Sequence, residues 1–345
     1  MNAPRQTARL ALIGCGAIAE VSFIPALKQL KHPPELIVDV NQERANRFAA
    51  SLRCKSAVDL DAVDRASIDA AIVALPNALH APAALSLLER GIHVLIEKPM
   101  ATLADDCQRM IDAASAADLR LAVGHMYRFN PAYRWMKSLA DSGTLGPIRG
   151  IELRCGAPFA WPLKSLGLWR KEMAGGGVLI DLGVHFLDLL IWWFGPLQLT
   201  RYVDDNGGGV EADCQLEATT TCGGKVFAEF SRTRDLPNRL HIAGSNGGVE
   251  IDLATSSIAT VTGSADAFPN ARDWTRRAGP SHTQLFVAEI SAWLDAIAEH
   301  RQPAVDGSEG AHVVRFIEDC YRQRQPWLLP WVEPAALASL TAGAA

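Results

Sequence analysis

The 345-residue chain carries no paired-cysteine motif: Cys15, Cys54, Cys107, Cys155, Cys214, Cys222 and Cys320 are odd in number, scattered and never spaced C-x-x-C. That argues against a disulfide framework and against structural zinc. His241, His282 and His312 lack ligand spacing, so no metal is expected. Basic runs are missing too, and a formal net charge of -5 leaves no electrostatic footprint for nucleic acid. No stretch reaches the roughly 18 uninterrupted apolar residues of a membrane span. The apolar run before Cys15 is also shorter than the core of a signal peptide, which takes about 7 to 15 residues. A cytoplasmic protein with no membrane or nucleic-acid partner is expected.

What is present is ordinary globular composition, 49% hydrophobic and 21% charged, in a chain long enough for two domains. Short apolar runs at 10–13, 35–38, 69–75, 92–96 and 120–124 alternate with helical patterns. Continuous apolar runs of this kind describe strands buried on both faces, hence a doubly wound α/β domain over residues 1–124. Strand patterns at 148–155, 213–221, 225–232, 239–243 and 248–253 then follow one another without helices between them. Gly223-Gly224 and Asn246-Gly247-Gly248 are hairpin signals. Residues 125–334 therefore read as an α+β domain with an antiparallel or mixed sheet, with late helices near 283–300 and 307–322. The small-residue tail 335–345 reads as frayed.

Gly14, Gly16, Ala17, Ile18 and Ala19 fit G-x-G-x-x-A directly after the first strand, where glycines admit a pyrophosphate to a helix N-terminus. Asp39 ends the second strand at the place where a carboxylate can bind ribose hydroxyls and repel a 2′-phosphate. This favours NAD over NADP. Two alternatives stay open: Asp39 as a solvated strand end, and nearby Arg44 as a phosphate acceptor. In open α/β sheets ligands sit at the carboxyl ends of strands, so Leu75, Pro76, Asn77 and His80, then Glu97 and Lys98, then His125, are expected to ring the nicotinamide.

Lys98 can supply a fixed cation beside a carbon that gains alkoxide character, or simply pair with Glu97. Asp181 and His185 stand four residues apart in an apolar helical pattern, which puts them on one helix face. His185 is the candidate general base, and Asp181 can orient either the substrate or the imidazole. The preceding Gly175-Gly176-Gly177 reads as a place where substrate approaches the backbone. Tyr127, Arg128, Trp169 and Arg170, with Trp161 and Asn130 nearby, suit a sugar ring or a domain interface.

In this order, the Gly14 fingerprint, Asp39, Pro76-Asn77 with His80, Glu97-Lys98-Pro99, Tyr127-Arg128-Phe129-Asn130-Pro131 and the Asp181-x-x-x-His185 helix resemble the Gfo/Idh/MocA oxidoreductases across nearly the whole chain. The resemblance implies an N-terminal Rossmann domain and a large open, mostly antiparallel C-terminal sheet that mediates dimers or tetramers. It implies NAD(P)-linked chemistry on sugars, nucleotide sugars or cyclitols, with Lys98, Asp181 and His185 as the catalytic trio and a cis Lys98-Pro99 bond. Two rival activities remain. One is a glycoside hydrolase in which bound NAD is transiently reduced, and the other is a non-catalytic dinucleotide-responsive binding protein.

Overall fold

The computed structural model describes residues 8–162, 166–264, 268 and 271–327. The expected frayed tail at 335–345 lies outside them. Within these residues the chain divides into two compact units.

Of the described residues, the first unit comprises 8–129, 162, 166–168 and 281–314. Its strands are β1 (Leu10–Ile13), β2 (Leu36–Val38), β3 (Lys55–Ala57), β4 (Ala70–Val73), β5 (His93–Glu97) and β6 (Leu121–Gly124). They form one sheet in the order β3-β2-β1-β4-β5-β6, and its five strand pairings are parallel. Alternate residues feed two separate cores. Ala11, Ile13, Val73, Ile96 and Val123 face one, and Leu10, Leu12, Ile37, Ile72 and Leu95 face the other. A sheet buried on both faces explains why these strands are continuous apolar runs.

The helix His282–Ala298 belongs to this unit, and Leu285, Phe286, Ile290 and Trp293 join the second core, with the Phe286 ring 5.0 Å from Phe23 in an edge-on contact. The first compact unit thus takes in Ser281–Val314 from the later part of the chain. The reason lies in apolar faces: a helix packs where its stripe finds complementary surface, whatever its position in the chain.

The second unit carries β7 (Ile148–Gly156), β8 (Leu197–Asp204), β9 (Asp213–Thr220), β10 (Lys225–Ser231), β11 (Arg239–Gly244), β12 (Gly247–Asp252), β13 (Ser257–Gly263) and β14 (Gln325–Pro326). Their order is β13-β12-β11-β7-β10-β9-β8-β14, antiparallel except where β10 meets β7 and β14 meets β8. Helix Val184–Phe194 covers one face of this sheet, stacking Phe186 on Phe230 at 6.4 Å, and its Trp193 Nε1 donates to Tyr133 O at 3.1 Å. The helical stretch Lys171–Phe194 is long and apolar enough to cross a bilayer, yet 72% of its most apolar window is buried inside the fold. Asp181 and Asp188 interrupt it, and for that reason it does not stand out as an apolar run.

Candidate active site

In the first unit, Gly14 is a glycine because of its neighbours. Its φ is +96° and an added Cβ would lie 2.3 Å from the Ala74 carbonyl oxygen, while its N–H donates to Val38 O at 2.8 Å. The loop is thus pinned between the ends of β1, β2 and β4, where the strand order reverses and ligands bind in such sheets. Gly16 differs: beyond its own chain neighbours, no atom of the described residues lies within 4 Å of an added Cβ. Its missing side chain faces open space at the start of a helix, with Glu20 N–H reaching back to Gly16 O at 3.1 Å. Ala17 and Ile18, both half-buried, form that first turn. The turn that follows is π-helical, Ile24 N–H donating five residues back to Ala19 O. Open space at the positive end of a helix fits a dinucleotide pyrophosphate.

Asp39 is nearly buried, and its carboxylate is already oriented: Oδ2 accepts from Cys15 N–H at 2.7 Å and Oδ1 from Asn41 N–H at 2.8 Å. Each oxygen keeps a second lone pair for a ribose hydroxyl. Arg44 Nη1 stands 3.9 Å from Asp39 Oδ2, so the position carries an ion pair.

The residues at the ends of β4 to β6 separate into outer and inner sets. Leu75 and Asn77 are half-buried, Pro76 is exposed and Lys98 is half-buried. His80 is fully buried, with Nδ1 2.7 Å from Pro99 O and Nε2 2.8 Å from Leu75 O. A neutral imidazole donates to one of these carbonyls, and the tautomer decides which. The expected contact of His80 with a nicotinamide is corrected: it braces the Leu75 and Pro99 loops from inside. Burial pushes its pKa down to about 4 against the opposing pull of the two carbonyls. Glu97 and His125 are also interior, and Glu97 Oε2 accepts the Lys98 N–H at 3.0 Å ahead of the cis Lys98-Pro99 bond. Glu97 thereby shapes the turn that carries Lys98.

Among the expected substrate contacts, Trp169 and Arg170 are exposed and Tyr127 is half-buried. Arg128 is corrected, because its guanidinium is buried in an ion pair with Glu309. Asn130 is a helix cap, accepting Ala132 N–H at 2.9 Å and donating to Ser256 O at 2.8 Å. The Tyr127–Pro131 motif thus has substantial architectural content.

In the second unit, the glycine run proves to be a packing feature. Gly175 takes φ +80° to end the helix Lys171–Ala174. An added Cβ would stand 2.1 Å from Tyr321 Oη at Gly176 and 1.8 Å from Glu211 O at Gly177. The reading of these glycines as a substrate approach is corrected accordingly. Glu211, 2% exposed, accepts the N–H groups of Gly177 at 2.8 Å and Leu179 at 3.0 Å, and Tyr321 Oη donates to it at 2.8 Å. A carboxylate on the first free N–H groups caps the helix and opposes its dipole.

Asp181 sits in a π-helical turn, Leu179–Gly183, closed by Val184 N–H donating to Leu179 O, and His185 sits in the α-helix that follows. Both are half-buried. Asp181 makes an ion pair with Arg232, whose guanidinium lies 5.5 Å from the Phe159 ring centre. Phe159 in turn meets Trp169 edge-on at 4.9 Å. Sequence reasoning missed Arg232, Glu211 and Tyr321. They lie 51, 30 and 140 residues from Asp181, and no local spacing signals such partners.

Residues 8–125 match the family description "Oxidoreductase family, NAD-binding Rossmann fold", and residues 137–327 match "Oxidoreductase family, C-terminal alpha/beta domain". The chain belongs to the Gfo/Idh/MocA oxidoreductase family. It is 34% identical over 311 residues to inositol 2-dehydrogenase 3 of Saccharopolyspora erythraea, covering 85% of this chain and 86% of that protein. Identity is 28% over 304 residues to UDP-N-acetylglucosamine 3-dehydrogenase of Acidithiobacillus ferrooxidans, covering 84% and 90%. A 33% identical match to the dTDP-3,4-didehydro-2,6-dideoxy-alpha-D-glucose 3-reductase of Streptomyces violaceoruber spans 52% of this chain and about half of that protein, 53%. Among solved structures, the WlbA dehydrogenase from Bordetella pertussis, in complex with NADH and UDP-GlcNAcA, superposes with a TM-score of 0.83 at 22% identity over 93% of this chain and 96% of that one. A 3-ketoreductase from Actinomadura kijaniata, in complex with NADP and TDP-benzene, gives 0.79 at 22% identity over 93% and 99%. These neighbours establish the family fold, and between them they bind both dinucleotides.

Proposed function

We propose that this oxidoreductase transfers a hydride between NAD and a secondary carbinol of a sugar, nucleotide sugar or cyclitol. The observation that carries the reading is the Asp181–His185 helix, held at its N-terminus by Glu211, with the Asp181 carboxylate fixed by Arg232. The residues suited to the dinucleotide are the Gly14–Ile18 loop for the pyrophosphate and Asp39 for the adenosine ribose, and when bound it supplies the hydride acceptor or donor. His185 takes the hydroxyl proton in oxidation and returns it in reduction. Asp181 orients the substrate hydroxyl or the imidazole, and Lys98 offers a cation to developing alkoxide character. Trp169, Arg170 and Tyr127 are candidate sugar contacts.

NAD is favoured over NADP because the Asp39 carboxylate repels a 2′-phosphate, and Asp39 also occupies Arg44 electrostatically. A cytoplasmic homodimer or homotetramer is inferred through the eight-stranded sheet. Its support is the ordered charged face opposite the helix-covered one, where Arg154 and Arg234 each lie 3.2 Å from the buried Glu229.

The test is incubation with NAD⁺ or NADP⁺ and, in parallel, UDP-N-acetylglucosamine, glucose 6-phosphate, myo-inositol and D-xylose, following formation of reduced cofactor. Turnover with NAD⁺ that vanishes in His185→Ala is expected. Turnover that survives His185→Ala unchanged would overturn the assignment.

A further inference from the structure

We propose that Arg232 is a positioning residue of this reaction, holding the Asp181 carboxylate as a fixed anion so that His185 is the group that exchanges the proton. This rests on the roles given above to Asp181 and His185. Arg232 follows the last residue of β10, and its backbone is tied on both sides: its N–H donates to Ala212 O at 2.8 Å, and its carbonyl accepts the Phe159 N–H at 2.9 Å. Its guanidinium reaches Asp181 Oδ2 while lying against the Phe159 ring, which Trp169 buttresses at 4.9 Å. A ring beneath a planar guanidinium fixes the direction of its donors, which a lysine ammonium cannot reproduce.

The two charged side chains are 23% and 25% exposed, open enough to meet a substrate and dry enough for the pair to hold. A carboxylate whose oxygen is committed to a guanidinium accepts hydrogen bonds and orients other groups; it is a poor proton carrier. Asp181 already cancels the Arg232 charge, so Arg232 is not assigned as a docking point for an anionic sugar. Its effect on catalysis runs through Asp181.

The experiment measures kcat and KM against pH for Arg232→Met and Arg232→Lys, alone and combined with Asp181→Asn, using NAD⁺ and the same four sugars. Arg232→Met is expected to lower kcat about 10-fold or more and to move the acid limb of the profile upward, because losing a cation next to Asp181 makes protonation of the general base easier. Arg232→Lys should restore the acid limb without restoring full kcat. In the Asp181→Asn background the Met substitution should cost nothing further. Undiminished NADH binding reports an intact first unit, and a wild-type-like melting curve reports an intact second one. If Arg232→Met fails to fold, Arg232→Lys carries the test through its kcat loss at unchanged KM. Wild-type kcat and profile in Arg232→Met overturn the proposal, as does a loss that multiplies fully with that of Asp181→Asn. Failure of the underlying reading is distinct: there Asp181→Asn and His185→Ala themselves keep wild-type turnover, and no turnover by the wild type on any of the four sugars overturns both.

Discussion

In the reaction proposed above, Lys98 and His185 are assigned separable tasks, one electrostatic and one protonic. Lys98 leaves the core at the end of β5 from a turn fixed by the Glu97 carboxylate and the His80 ring, so its replacement removes a charge without loosening the turn. Lys98→Met should lower kcat by ~100-fold or more with NADH affinity largely kept, the cost of losing one preorganised transition-state partner. His185→Ala should lower it ~100- to 10,000-fold. Stopped-flow kinetics beside a fluorescence titration of NADH check both, and equal losses in binding and turnover would argue against them. Asp39 is assigned a different task in the proposed reading, that of cofactor choice. Asp39→Ser removes the carboxylate that repels a 2′-phosphate and releases Arg44, so the NADH to NADPH affinity ratio should fall by at least ~10-fold, about 1.4 kcal/mol. An unchanged ratio would place selectivity elsewhere.

Glycines that look alike in sequence separate at the level of elements. Gly177 has a backbone oxygen 1.8 Å from where a Cβ would stand, and Gly14 combines φ +96° with a 2.3 Å contact, whereas no such neighbour among the described residues lies within 4 Å at Gly16. Gly177→Ala should destabilise the chain by about 1 to 3 kcal/mol or more, visible as a lower Tm. Gly16→Ala should leave Tm of the ligand-free protein within experimental scatter and weaken NADH binding instead, because only a ligand needs that space. The same contrast explains what sequence could reveal. The buried strands β1, β2 and β4 to β6 were legible because a sheet covered on both faces enforces unbroken apolar runs. β3 was missed because Lys55, Ser56 and Ala57 form a three-residue edge strand with no apolar run, and β8 because a register shift between Leu199 and Arg201 breaks its alternation. That Asp181 and His185 lie in a helical segment was legible through local apolar spacing. Arg232 and Glu211, which hold them, come from other strands and loops, and no period in the chain encodes a partner brought by tertiary folding.

Across the whole molecule, stability should be squeezed from both ends of the pH scale by three titratable groups of the first unit, the buried His80 and Glu289 and the half-buried His93. His80 and His93 are both held down to about 4 by burial, and His93 Nδ1 accepts the Arg120 N–H at 2.9 Å, a bond lost when that nitrogen is protonated. A depressed pKa gives stability that is complete above the ordinary 6.5 and is lost as pH falls toward 4. Glu289 acts in the opposite direction. It is 2% exposed, neither carboxyl oxygen has a hydrogen-bond partner among the described residues, and burial with help from Glu97 raises its pKa well above the ordinary 4.5. Its contribution is complete below 4.5 and declines as pH rises toward its raised folded value, by up to about 1.4 kcal/mol per pH unit. Glu289→Gln cannot ionise, so its Tm should fall less with rising pH than that of the wild type, while the acid side set by His80 and His93 stays as it was. Burying an amide in place of an acid adds an offset that is the same at every pH, which leaves the slope as the quantity to read. Melting curves at one-unit intervals measure it. Parallel curves for the two proteins above pH 5 would mean that Glu289 is not the group limiting alkaline stability.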